Sequence, residues 1–337
     1  MRADGLVGRI ISVLSRRAPA FRSAPSPGTP HRQPARELRK YSKRAGSGAG
    51  GASQAQLVNV DLPKANLRGV VLSDANLRGA DLRGADLREA DLRGANLQVA
   101  NFTSATLEGA NLHTADLRDA HLNECDLRQA DLTDADLRYA RLRSATLAHA
   151  NLAGADLREA TLSDTILHAA DLRGADLRNA HLSHTDLRGA DLRGACLRTA
   201  LHTANLEGTD LRGTDLRRHE LMRGRLRGCD LRGADLRGAN LGSADLRDVD
   251  FTGALLWKAD FEEADLSGAI FMDIDSGPWE ASSRGLLRLS GARWTAATMW
   301  PPDLRALMHT RSLSIGDGVW VVHRTRIHRM VGEPAGH

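Results

Sequence analysis

Thirteen histidines, three cysteines and 42 acidic side chains give this 337-residue chain ample material for acid–base or metal chemistry. Their spacing does not use it. No nucleophile stands in a motif that would bring a base to it. His323 and His328 lie in a basic tail, outside the HExxH frame that puts two ligands on one helix face. The cysteines form no CxxC pair, so they offer neither a zinc pattern nor a disulfide framework. The Gly-Ala-Asp runs lack the strand–GxxxxGK–helix context of a phosphate loop. The aspartates recur as ladders, and a ladder is not a pair whose environments push two pKa values apart. The expectation is a protein that is not an enzyme, with no catalytic residue, no cofactor and no metal.

Behind these residues is a beat of five. Leucine occupies every fifth position from Leu57 to Leu197, apart from Phe102. A four-residue step leads to Leu201, and the beat then runs to Phe271, giving 29 and 15 repeats, or 44 in all. A helix turns about 100° per residue, so a period of five leaves no stripe. A straight strand alternates faces, so an odd period would send half the leucines into water. Only a chain that turns a corner once per repeat keeps every leucine inside. Leucine at position i and the small residue at i−2 then point inward; Asp or Asn at i−1 and Arg at i+1 point outward. The predicted core includes Leu82, Leu87 and Leu92, with Phe251, Phe261 and Phe271 in the late coils. Four sides close a coil of about twenty residues, and about 11 coils stack into a rod roughly 50 Å long.

Runs such as Ala80-Asp81-Leu82-Arg83-Gly84 resemble the A(D/N)LXX motif of the pentapeptide-repeat family, over residues 55–273. The resemblance implies an all-β fold, a right-handed quadrilateral parallel β-helix. The ten prolines agree, since none falls between Lys64 and Gly277, where the coils need their N–H groups.

Three segments are expected. Residues 1–52 form a basic, largely disordered arm and linker with eleven basic and two acidic residues, a net +9. The arm is Arg-rich and acid-poor, somewhat like a transit peptide, and it is a candidate for touching nucleic acid or anionic lipid. Residues 53–275 form the rod, with 27 basic and 36 acidic residues, and a register shift at 197–201 that could kink it or divide it into two stacks. Residues 276–337 hold four of the five tryptophans and are read as a small cap on the open end. Within them a helix is expected over 303–313 and a strand over 319–323. Trp294 to Pro302 resembles the Trp-Pro tail of long actinobacterial members, with Met299 where Arg is expected. Cys125 and Cys229 fall on inward positions and Cys196 on an outward one. The longest N-terminal apolar run, Ile10 to Leu14, is short for a secretory signal, and no run of about 20 apolar residues exists, so the protein is read as cytoplasmic.

Two surfaces are candidates for interaction. One is a column of Arg118, Arg138, Arg158 and Arg178 beside Asp116, Asp136, Asp156 and Asp176. Its opposite charges, two residues apart, can pair and neutralise each other. The other is the cluster Arg217, Arg218, Arg223, Arg225 and Arg227, around a His219 that occupies an inward slot usually held by Ala. The leading functional expectation is a protein–protein interaction scaffold with an unidentified protein partner. The alternatives are a DNA mimic acting on DNA gyrase, as some family members do, or a protein tethered to an anionic surface by residues 1–52. Oligomeric state is not readable from the repeats.

Overall fold

The computed structural model describes residues 54–199, 201, 203–275 and 288–323. The expectations for the arm at 1–52 therefore lie outside the described residues.

Each repeat is one short bridge and one turn. Residues at i−1 form parallel bridges to the residue twenty positions on, such as Asp116↔Asp136 and Asp136↔Asp156. Partners twenty apart and bridges five apart make four sides per coil. The leucine N–H donates to the next coil, as from Leu117 to the Asp136 carbonyl at 2.8 Å. The leucine carbonyl accepts the N–H three residues on, as from Ala120 at 3.0 Å, which closes the corner.

That corner has a backbone demand that the sequence pattern hides. Position i+2 has positive φ in every repeat whose corner lies between Gln54 and Gly194 or between Gly208 and Asp273. This is a type II turn, which favours glycine at its third residue. Sixteen glycines of the rod serve there, and so do less suited residues such as Val99, at φ 59°.

The interior matches the expected pattern. Every leucine or phenylalanine on the beat is buried, including Leu82, Leu87, Leu92, Phe251, Phe261 and Phe271. Alanine fills most of the i−2 column. Where the replacement is polar, it finds a carbonyl. The Cys125 thiol donates to Phe102 at 2.7 Å, the Cys229 thiol to Leu206 at 2.7 Å, and the Thr165 and Thr185 hydroxyls to Leu142 and Leu162 at 2.8 Å each. The inner column thus tolerates a small donor because the carbonyl beneath it has a spare lone pair.

The expected register shift is a coil of nineteen. Asp186 bridges Asn205 and Asp191 bridges Asp210, so two sides run on across the step. On a third side Cys196 and Asp215 form no bridge, and the Leu197 N–H does not reach the Asp215 carbonyl.

Past Phe271 the beat stops but the ladder does not. Asp260 bridges Arg288, Asp265 bridges Arg293, and Ile270 bridges Met299. A further coil therefore lies beyond the boundary expected at 275, and it is offset from the beat by the intervening chain. Trp294 and Trp300 take the place of leucines in it. Trp300 stacks on Phe271 at 4.7 Å, which stacks on Phe251 at 4.8 Å.

The C-terminal elements rest on this coil. β1 (Arg293–Thr295) belongs to it, followed by α1 (Pro302–Thr310), β2 (Ser312–Gly316) and β3 (Val319–Val322). α1 begins at a proline as expected and ends three residues earlier than predicted. The sheet order is β1-β3-β2, all antiparallel. Met308 of α1 and Val322 of β3 join the same apolar cluster as the leucines, and Trp320 packs on Trp294 at 4.8 Å.

Candidate interaction surfaces

The outward residues are organised by one local motif. The carboxylate at i−1 accepts the backbone N–H at i+1, as Asp116 does from Arg118 at 3.2 Å. This is why Asp or Asn precedes the leucine: its oxygen bonds the chain two residues on. The arginine side chain then folds back onto the same group. Arg118 donates Nε to Oδ1 at 2.9 Å and Nη2 to Oδ2 at 2.6 Å. Arg138, Arg158 and Arg178 make the same fork on Asp136, Asp156 and Asp176, with Nη2–Oδ2 distances of 2.6, 2.6 and 2.5 Å.

The forks also reach the next coil. Arg118 Nε is 3.5 Å from Asp136, and Arg138 Nε is 3.6 Å from Asp156. The column is therefore a continuous alternation of charge rather than two rows of like sign. The same forks recur on other sides, for example Arg93 on Asp91 and Arg193 on Asp191. Hydrogen bonds from Arg178 hold Asp176 below the usual carboxylate range, against the opposing effect of partial burial. At Asp116 burial pushes the pKa up, but the hydrogen bonds of Arg118 and Gln98 outweigh it.

The arginine cluster behaves differently. Arg217 makes the ordinary fork on Asp215 at 2.6 Å, and its hydrogen bonds lower Asp215 to about 2. Arg225 and Arg227 have only distant partners, Glu207 at 3.9 Å and Asp248 at 3.4 Å. Arg218 and Arg223 are exposed and have no carboxylate partner among the described residues; neither has Arg198 at the step. Met222, beside Arg223, is 49% exposed.

The two irregularities of the sequence turn out to be one. His219 is buried, and its Nε2 lies in hydrogen-bond contact with the Leu197 carbonyl, 22 residues earlier. A carbonyl can only accept, so Nε2 carries the hydrogen. Thr199 also donates its hydroxyl to the Ala180 carbonyl. Both side chains bond carbonyls beside the interruption, and the Leu197 carbonyl also accepts the Thr199 N–H. The signal was present in the sequence as a spacing of about one coil between Leu197 and His219.

Cys125 and Cys229 are buried, and burial pushes both thiols up to about 12. Cys196 is exposed. Among the described residues no group of His, Cys, Asp or Glu is placed to hold a metal ion, and no helix is long and apolar enough to cross a membrane.

Comparison with known proteins agrees with this geometry. The family profile described as pentapeptide repeats (8 copies) matches overlapping segments from 53 to 201 and from 204 to 273. The break between them coincides with the four-residue step. Among solved structures, the chain is similar to HetL, a pentapeptide repeat protein involved in heterocyst differentiation regulation in the cyanobacterium Nostoc. It is 36% identical, with 70% of this chain and 96% of that chain covered and a TM-score of 0.33. QnrB1, a plasmid-mediated fluoroquinolone resistance protein, is 19% identical, with 59% and 90% covered and a TM-score of 0.28. A pentapeptide repeat protein of the Arabidopsis thaliana thylakoid lumen is 29% identical, with 41% and 77% covered and a TM-score of 0.16. No curated protein matches. The chain belongs to the pentapeptide-repeat family, and its fold is the right-handed, four-sided β-helix of that family.

Proposed function

We propose that the protein is a non-enzymatic scaffold that binds a partner protein along its rod, through the places where the rod departs from its repeat. The supporting observation is the distribution of unpaired charge. In the regular coils each forked arginine is held by its own aspartate, so little is left for a partner. At the step, Arg198, Arg218 and Arg223 are exposed and unpaired among the described residues, next to the exposed Met222. A partner with an acidic surface fits this patch. In the same reading the rod has about 11 coils, the segment from Arg288 closes its C-terminal end, and the protein works in the cytoplasm.

The test is co-purification with the full chain. A partner recovered by the parent protein is expected to be lost with Arg218→Glu/Arg223→Glu and retained with Arg138→Glu. Equal recovery by all three proteins would remove the patch from the account.

The DNA-mimic reading has less support. Such a mimic presents dense, unneutralised negative charge. Here part of the acidic end is paired, with Arg288 bound to Asp260 at 2.5 Å and Glu262 at 2.6 Å. A supercoiling assay with purified DNA gyrase is expected to show no effect at micromolar protein, with or without quinolone. Inhibition or protection would favour the mimic. Contact of the basic arm with an anionic surface is a third reading. It predicts salt-sensitive binding to anionic vesicles or DNA that disappears when 1–52 is deleted.

A further inference from the structure

The four sides of the rod are not alike. Sixteen arginines fork onto the aspartate two residues before them. Six of these forks lie on the side that carries Asp116, four and five on two others, and only one, Arg83 on Asp81, on the fourth. Parallel bridges run along that fourth side from Asp81 through Asn101, His121, Arg141 and Thr161 to His181. Beside them, at i+1, positions 103, 123, 143, 163 and 183 read Thr, Asn, Arg, Ser and Ser. None of these ten outward positions beyond Asp81 is acidic, and every one carries a hydrogen-bond donor. The side chains of His121, Arg141, Thr161, Ser163, His181 and Ser183 make no hydrogen bond or ion pair among the described residues.

The donors have a centre. Acids stand at the corners that flank this side, Asp119 and Glu159 on one rim and Glu124 and Asp164 on the other. At the coil of Arg141 the corners are Tyr139 and Ser144 instead, so the cation there is not screened by a neighbouring acid. Tyr139 is 57% exposed, and Arg141 is exposed as well. Tyrosine and arginine are the residue types that most often dominate a protein–protein contact. The side also runs on to the step. Asp186 bridges Asn205 and Asn205 bridges Arg225, which puts Glu220, Met222 and Arg223 on the side of His181.

We infer that this donor-lined side, centred on Tyr139 and Arg141, is a docking face for an acidic strip of a partner protein. A carboxylate of the partner pairs with Arg141, and its other acceptors take the hydroxyls, amides and imidazoles of the adjoining coils. Nucleic acid fits less well. Its phosphates form an unbroken row of charge, which needs dense cations, and the rim acids Asp119, Glu159 and Glu124 would repel it. The inference rests on the scaffold reading and extends its contact from the step along one side of the rod.

The experiment is fluorescence anisotropy of the full chain with a labelled peptide of about eight residues alternating Glu and Ser, which spans roughly 25 Å when extended. Binding that strengthens at low salt is expected. Arg141→Glu raises Kd by about 10-fold or more, and the rod already accommodates a glutamate at the equivalent position, Glu220. Arg78→Glu makes the same charge change on a neighbouring side and leaves Kd within about 2-fold of the parent. No binding at millimolar peptide, equal losses in the two variants, or tighter binding of a single-stranded oligonucleotide of similar length would each overturn the inference. The His121 ring gives a second readout. Burial, and after it Arg141, holds its pKa below the usual histidine range. Carboxylates laid beside it favour the charged form, so NMR titration is expected to move upward on binding. A His121 unmoved by saturating peptide would contradict the assignment. The two readings also separate. A natural partner lost with Arg218→Glu/Arg223→Glu but retained with Arg141→Glu would remove the face and keep the step patch, whereas the reverse pattern would keep the face and remove the patch.

Discussion

The coils from Leu57 to Leu197 and the step that follows them solve the same problem in different ways. In the regular coils the backbone satisfies itself: each side bonds to the next, and the interior is mostly Leu and Ala. At the step one residue is missing, a bridge between Cys196 and Asp215 is absent, and two side chains bond carbonyls beside the gap. His219 covers the Leu197 carbonyl and Thr199 the Ala180 carbonyl. The outside differs in parallel. Most arginines of the regular coils are neutralised, with Arg78 and Arg141 as exceptions, whereas Arg198, Arg218 and Arg223 around the step are all unpaired among the described residues. Regularity makes the rod stable and its surface quiet; individuality collects where regularity fails.

The sharpest way to break this contrast is to damage each region and compare. In the regular stack the leucine carries the load. Leu137→Ala leaves a cavity in a closed interior and is expected to cost about 2–5 kcal/mol in urea unfolding. A cost below about 1 kcal/mol would mean that the coils collapse around the gap.

At the step the load sits on a polar group. His219→Ala removes a buried imidazole with its bond to the Leu197 carbonyl, which retains the Thr199 N–H, and leaves a cavity; it is expected to cost about 1–3 kcal/mol. Cys125→Ala supplies the control, because alanine is the usual occupant of that column and the change removes one sulfur atom rather than a ring. It is expected to be near neutral. Equal costs for the two would erase the distinction between coil and step.

Acid tests the forks. Folded-state pKa values are lowered at Asp81, Asp91, Asp126, Asp176 and Asp191, in each case first by the arginine two residues on. A depressed carboxylate stabilises the fold above its unfolded pKa and loses that contribution as pH falls through its folded value. The thermal midpoint is therefore expected to hold from pH 7 to about 5 and to fall between about 4 and about 2, where Asp215 titrates. A midpoint that is flat through that window would mean that the forks add nothing to stability.

The corners offer the smallest effect, and one of opposite sign. Val99 holds φ 59° with a β-branched side chain that is 47% exposed. Val99→Gly relieves that conformation and is expected to stabilise the rod by about 1 kcal/mol.

The sequence made the regular coils almost fully legible because five is an odd period and only a cornered chain can bury every Leu from Leu57 onward. It also placed Cys125 and Cys229 inward, since both stand where Ala stands elsewhere. The corner conformation was hidden behind an apparently variable position; the glycines at Gly79, Gly84 and Gly94 were its trace. The continuation of the ladder through Arg288, Arg293 and Met299 was hidden because its spacing departs from the beat, and a pattern search ends where spacing changes. Of the candidate surfaces, opposite charges at i−1 and i+1 announced their own pairing. The partnership of His219 with Leu197 did not, because it joins two departures that look separate along the chain and meet only after one turn of the coil.

Hydrogen exchange at single-residue resolution tests the step most directly. The amides of Leu197 and Asp215 have no ladder partner, whereas their equivalents one coil away, Leu177 and Asp235, donate to Cys196 at 2.9 Å and Thr214 at 2.9 Å. Fast exchange at Leu197 and Asp215, between protected coils on either side, is the predicted result. Uniform protection from Leu177 through Asp235 would contradict an interrupted ladder and, with it, the division of the rod into regular coils and a side-chain-held step.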